Sequence, residues 1–229
     1  NGQGVRFEKV ISLNEDYGFT VIQRVINNSG KAITLSPYAL IAQRGVPEDF
    51  LKRWIVHEGP MGYFGDELFE ETYGKMSKDP VIQATADQGW IALSSKDWLT
   101  ALVPVQGEST KYRMIYTKGT GIQIKDRYQV DTVGASITAS AGGMIETQSR
   151  FYAGAKKLNL LTGYEKQWDV PHFDLAVDFG LFYFLTRPFF FVINFFYGLV
   201  GNFGVAIILF TVVLRICVFP LANTSFKSF

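Results

Sequence analysis

One cation sits inside an apolar run of membrane length. From Phe203 to Leu221 the chain holds 19 residues, of which Arg215 alone is charged. At about 1.5 Å per residue, such a helix is long enough to cross a bilayer core. Thr211 precedes Arg215 by four residues, so the two share a helix face. A cation in hydrocarbon costs roughly 2.5–3.5 kcal/mol on insertion scales, and residues kept there at that cost mark polar pathways. The chemistry is non-covalent: a polar notch offers positive charge to something polar passing through. The plainer alternative is that Arg215, about 18 Å along the axis from Phe203, extends its side chain to headgroups about 9 Å further on. The residues alone leave both open.

Other chemistry-bearing residues point less far. His57 and His172 are the only histidines, and neither has Cys or His at metal-ligand spacing, so no metal and no cofactor is expected. Glu58 follows His57, but neighbours on a strand point to opposite faces. They therefore make a poor acid–base pair, and no covalent catalysis is expected. Asp66, Glu67, Glu70 and Glu71 read as a solvated acidic face. Gly119-Thr120-Gly121 and Gly142-Gly143 read as hairpin turns, because neither opens a helix as a phosphate loop should. Asn27-Asn28-Ser29 and Asn223-Thr224-Ser225 match a glycosylation pattern that short sequences match by chance. Trp90, Trp98, Tyr112 and Tyr116 suit a sandwich core better than a sugar cleft.

The elements that position Arg215 follow from a sharp division in composition. Residues 1–178 carry 19 basic and 21 acidic side chains, whereas residues 179–229 carry only Arg187, Arg215 and Lys227 and no acid. Thirteen of the 20 Phe fall in that last part, so the chain reads as a polar domain joined to a membrane segment. No basic stripe suggests a nucleic-acid partner. The single cysteine, Cys217, forms no disulfide within the chain and reads as a small apolar packing residue. The chain opens on Asn1-Gly2-Gln3-Gly4 without a signal sequence and ends soon after the apolar helix, which leads us to expect a fragment.

Residues 5–152 read as antiparallel β. Strands are expected over 5–13, 17–26, 32–42, 89–93, 98–105, 111–117, 122–130, 132–140 and 144–152, with 43–80 an irregular excursion at a sheet edge. Strands without interleaved helices argue for a sandwich. Residues 154–168 change to helical period, through Leu158, Leu161, Tyr164 and Trp168. The expected division is therefore 1–170 for the β domain with its short helix, and 171–202 for a linker and an amphipathic helix. That helix would be capped by Thr186, with Pro188 in its first turn, and lie in the membrane interface. A transmembrane helix over 203–222 follows, ending near Pro220, and 223–229 begins a cytoplasmic region. Lys227 after the span places that end inside and the β domain outside.

Leu175-Ala-Val-Asp-Phe-Gly180, Arg187-Pro188, Val200-Gly-Asn-Phe-Gly204, Thr211-Val-Val-Leu-Arg215 and Phe219-Pro220-Leu221, in this order and spacing, resemble the YidC membrane protein insertases of Gram-negative bacteria. Gly89-Trp90-Ile91-Ala92 and Ala101-Leu-Val-Pro104 resemble that family's periplasmic domain. The resemblance implies a mainly β fold, an antiparallel, mutarotase-like β-supersandwich in the periplasm. An interfacial helix and the second of six transmembrane helices would follow. It implies a location in the bacterial inner membrane, with residues 1 to about 200 periplasmic. It implies an insertase and chaperone without covalent catalysis, aiding nascent membrane proteins alone or with the Sec translocon and its accessory subunits. Arg215 and Thr211 would line its substrate groove, in contact with the lipid bilayer. Ribosome contact would fall to regions outside this chain. The competing class is a membrane-tethered periplasmic carbohydrate-binding or mutarotase-like domain. That class needs a cleft with convergent carboxylates or histidine.

Overall fold

The computed structural model describes residues 4–48, 50, 56–120, 125–178 and 183–227. The chain forms two compact units, residues 1–178 and 179–229. The first is built from β1 (Val5–Leu13), β2 (Gly18–Asn27), β3 (Ile33–Leu35), β4 (Tyr38–Arg44), β5 (Gly59–Phe64) and β6 (Glu67–Glu70). There follow α1 (Tyr73–Met76), β7 (Val81–Ala86), β8 (Gly89–Ser94), β9 (Trp98–Val103), β10 (Thr110–Thr117) and β11 (Arg127–Gly134). The unit closes with β12 (Ile137–Ala139), β13 (Met144–Ala155), α2 (Leu158–Gln167) and a 3₁₀ turn (Phe173–Ala176).

A seven-stranded sheet runs β1-β2-β13-β9-β8-β5-β6 and a four-stranded sheet β4-β11-β10-β7, with β12 and β3 as a separate ribbon. All pairings are antiparallel. The mainly β, antiparallel sandwich expected from the sequence is thus the observed fold. Period-2 alternation on β8 splits its side chains between two cores. Ile91 and Leu93 meet Tyr112, Met114, Tyr128 and Val130 of the facing sheet. Trp90 and Ala92 point the other way, under α2 and the 3₁₀ turn, with Leu161, Tyr164 and Phe173. Because β8 is covered on both faces, all six of its residues are buried.

Four expectations are corrected within this unit. The strand foreseen over 32–42 is two strands, because Pro37 lacks a ladder donor; its carbonyl instead accepts the Gly134 N–H at 2.9 Å. The excursion over 43–80 contains β5, an interior strand rather than a decoration. Its Gly62 is there because a Cβ would meet the Trp90 carbonyl at 2.7 Å. The strands foreseen over 122–130 and 132–140 are instead β11 and β12, broken around Gly134; residues 121–124 lie outside the described residues. Residues 171–178, expected to begin a linker, belong to the first unit: Phe173 and Ala176 are buried against Trp90 and Tyr152. Asn27, in the glycosylation pattern, is fully buried, its amide shared among the carbonyls of Lys31, Ala139 and Ser140.

The second unit is a pair of helices, α3 (Tyr183–Val200) and α4 (Phe203–Lys227). Thr186 is not the cap of α3: the helix is already formed at Tyr183, and Pro188 lies inside it. With 18 residues α3 is about 27 Å long, longer than the segment from Pro188 suggested. Pro220 likewise lies within α4, which continues to Lys227.

Candidate functional site

The turn between α3 and α4 is specified locally. Gly201 adopts φ +67° and donates its N–H to the Tyr197 carbonyl at 2.8 Å, closing α3 with a left-handed residue. Asn202 then caps α4, its Oδ1 accepting from the N–H groups of Gly204 (2.9 Å) and Val205 (3.2 Å). The helices meet through ring contacts, Phe189 with Phe210 at 5.0 Å and Tyr197 with Phe203 at 4.5 Å. Over residues 203–220 of α4 the least exposed are Ala206, Phe210 and Leu214, a stripe at four-residue spacing toward α3.

Thr211 and Arg215 lie elsewhere on the helix. At about 100° per residue they are rotated roughly 100–140° from that stripe, away from α3. Both are exposed. The Thr211 hydroxyl donates to the Ile207 carbonyl at 2.8 Å, which fixes its rotamer and leaves its lone pairs outward. Among the described residues Arg215 forms no ion pair. The surrounding stretch, Phe203–Pro220, has a mean hydropathy of 2.4 and is 6% buried. Length and composition therefore make it one membrane-capable helix, and α3 adds a shorter apolar stretch, Leu185–Val200. The arrangement can present a guanidinium, five donors with no acceptor, to an anionic or carbonyl-rich group.

A second concave region lies within the first unit. A cleft of about 1210 Å³ is lined by His57, Glu58, Tyr116, Asp126 and Asp178, among others. Much of its polarity is committed internally. Asp178 accepts the His57 backbone N–H at 2.7 Å, and the His57 ring Nε2 faces the Pro60 carbonyl at 3.2 Å. Asp126 accepts from the Tyr116 hydroxyl (2.9 Å) and the Gly119 N–H (2.9 Å). Burial lowers the pKa of His57 and, nearby, of Lys156, whose ammonium donates to Ser94 Oγ at 3.1 Å. Burial raises that of Glu70, reinforced by Asp178. No sequence signal links these residues, since the ends of the His57–Asp178 contact are 121 positions apart. The four aromatics divide. Trp90 and Tyr112 are fully buried, Tyr116 is half-buried at the cleft, and Trp98 is exposed.

Comparison with known proteins is decisive on the family. The family described as the YidC periplasmic domain matches residues 1–192. The chain belongs to the YidC family. Proteins named membrane protein insertase YidC align with all of it: 39% identical in Rickettsia rickettsii (strain Sheila Smith), 38% in Rickettsia conorii and 37% in Rickettsia typhi. The chain spans 40% of the length of each of these relatives. Among solved structures, a TPR-domain containing protein from Parabacteroides distasonis aligns with 66% of this chain at 12% identity and a TM-score of 0.33, too weak a likeness to carry an assignment.

Proposed function

We propose that this chain is the periplasmic domain and adjoining membrane segment of an insertase for bacterial inner-membrane proteins. In this reading the β unit is periplasmic, α3 lies in the interface, Phe203–Pro220 crosses the bilayer, and Lys227 is cytoplasmic. Arg215 with Thr211 forms one wall of a polar groove. The remaining walls come from parts of the longer protein. The observation that carries this is the orientation of Arg215: on a membrane-capable helix, turned from α3, with no acid anywhere in residues 179–229.

Moving a hydrophilic segment across hydrocarbon is opposed by the loss of water from every polar group. A groove with an unspent cation shortens the apolar distance and attracts acidic or carbonyl groups of the arriving chain. The substrate's own apolar helix can then pass into lipid. No bond is made or broken, so neither nucleotide nor metal enters. The same reading has the insertase act alone or beside the Sec translocon, which the periplasmic domain would contact.

The test is Arg215→Ala in the full-length insertase. A charge-assisted hydrogen bond contributes about 1.5–3 kcal/mol, so insertion of dependent substrates should fall roughly tenfold or more. Folding should be intact, and Arg215→Lys should retain part of the activity. Wild-type insertion of every dependent substrate, or full rescue by any neutral polar residue, would overturn the groove.

The cleft of the first unit favours a second reading, carbohydrate binding, because it brings His57, Glu58 and Asp178 together. Titration calorimetry with common hexoses decides it. Saturable heat lost on Asp126→Ala would support a sugar site, and no heat would leave the insertase reading alone.

A further inference from the structure

The β8–β9 hairpin and the end of β13 form a tip that runs past the β1–β2 hairpin. The pairing of β13 with β2 stops where Tyr152 meets Gly18, and β13 runs on through Ala153, Gly154 and Ala155 against β9. Alternation puts Trp98 and Ala155 on one face of this tip and Leu99 and Gly154 on the other. Trp98 is 58% exposed, whereas Trp90 is fully buried and Trp168 packs on the core. On the opposite face Tyr17 covers Gly154, where a Cβ would meet the Tyr17 side chain at 2.5 Å. Tyr17 holds φ +65°, a left-handed conformation that strains a bulky residue, and its side chain is still partly open to solvent. An indole and a phenol therefore flank the tip.

The tip lies at the end of the unit from which the chain leaves. Lys156 joins the two places: its backbone N–H donates to the Asp97 carbonyl (2.9 Å) and its ammonium to Ser94 Oγ (3.1 Å). The Ser94 hydroxyl donates to the His57 carbonyl at 3.4 Å, and the His57 N–H donates to Asp178, the last residue of the unit, at 2.7 Å. Five residue steps separate Asp178 from Tyr183, where α3 begins, a reach of at most about 18 Å. Whatever angle the two units take, that tether limits how far this end of the β unit can stray from the apolar helices. Lys96 and Lys157, two residues from Trp98 and from its partner Ala155, are exposed, but so are Glu15 and Asp16 on the β1–β2 turn. Net charge therefore does not choose the surface that the tip meets. The aromatics do, because Trp and Tyr have an apolar body and a polar edge and collect at the level of lipid headgroups.

We propose that this tip is a membrane-docking surface. Trp98 and Tyr17 enter the headgroup layer of the bilayer that α4 crosses, and hold the exit end of the β unit against it. The occupant is the lipid surface, because the tether brings that surface within reach whether or not another protein is present. This rests on the reading in which Phe203–Pro220 spans the bilayer, and not on the role of Arg215.

The experiment uses the full-length insertase in phosphatidylethanolamine–phosphatidylglycerol vesicles, with Cys217→Ser and one added cysteine carrying an NBD label. At Asp97→Cys, beside an intact Trp98, a lipid with a nitroxide near its headgroup should quench the label at least about twofold. At Ala141→Cys, beyond the other end of β13 and about 40 Å away, it should not. Trp98→Ser, at an exposed position, should remove roughly half or more of the quenching at residue 97. A label at residue 97 that lipid leaves unquenched and aqueous iodide reaches as freely as at residue 141 would overturn the proposal. So would a label shielded from both lipid and iodide, the mark of a protein covering the tip, or full quenching retained in Trp98→Ser. Ile208→Cys on α4, read with a nitroxide deep in the acyl chains, separates the two readings. Quenching there without quenching at residue 97 sinks the docking alone, and no quenching at either removes the spanning helix and the docking with it.

Discussion

Arg113 and Arg215 are the same residue type in opposite surroundings. Arg113, on β10, reaches Asp131 on β11 at 2.6 Å, and that carboxylate is fully buried and also accepts from Gln129. Arg215 sits in a unit with no carboxylate side chain at all. In the β unit a cation is spent on the fold, where removing it would strand a buried anion. In the helical unit no acidic side chain is at hand, and among the described residues Arg215 forms no ion pair. Arg113 has its partner within the fold, and for Arg215 we propose one outside it.

The contrast is sharpest in stability. Arg113→Ala should cost roughly 3–5 kcal/mol in urea unfolding of the β unit, because the buried Asp131 charge loses its cation and keeps only the neutral Gln129 amide. Arg215→Ala should change stability by no more than about 0.5 kcal/mol, since it touches no such feature. Similar costs for the two would erase the distinction. Phe173→Ala tests where the β unit ends. Phe173 is fully buried between Trp90 and Tyr152, so its loss should cost about 3–5 kcal/mol. A cost below about 1 kcal/mol would return residues 171–178 to the status of a linker.

Two smaller effects refine the picture of the β unit. Among the described residues the buried Tyr112 hydroxyl has no hydrogen-bond partner, and burial raises its pKa strongly. Tyr112→Phe should therefore stabilise by up to about 1 kcal/mol in thermal or urea unfolding. A loss of that size would reveal a partner. His57 should make the unit acid-sensitive. Its folded pKa is lowered by burial, so below about pH 6.5 the unfolded state takes up the proton first and stability falls as pH drops toward the folded value. Glu70, raised by burial, acts in the opposite sense above its ordinary carboxylate range. The difference between wild type and His57→Gln across pH 5–7 isolates the histidine, and identical pH profiles would remove it from the account.

Local pattern made much of this molecule legible. The strand character of β1, β2, β8 and β9 follows from their runs of β-branched, aromatic and other apolar residues, and the sequence carries that directly. The apolar run, its length and its lone cation were equally plain, as was the four-residue spacing of Thr211 and Arg215. Where reading failed, a local rule met a tertiary cause. β5 is Gly-Pro-Met-Gly-Tyr-Phe, a poor strand by propensity, and is one because two neighbouring strands supply its ladder and Gly62 lets the Trp90 carbonyl approach. Pro188 and Pro220 looked like helix boundaries, but both helices run through them. Residues 171–178 alternate like an extended linker and instead form a 3₁₀ turn, because Phe173 finds a core to fill.

By itself the order of residues determined the two-part character of the chain, the sandwich class of the first part and the presence of a cation within membrane-length helix. Each of these depends on periodicity and composition, which neighbours along the chain are enough to express. The tertiary structure alone decided which strand became an edge, which face of α4 turned from α3, and which carboxylate met His57. Those outcomes depend on contacts between residues far apart in sequence, whose partners exist only once the chain has closed around them.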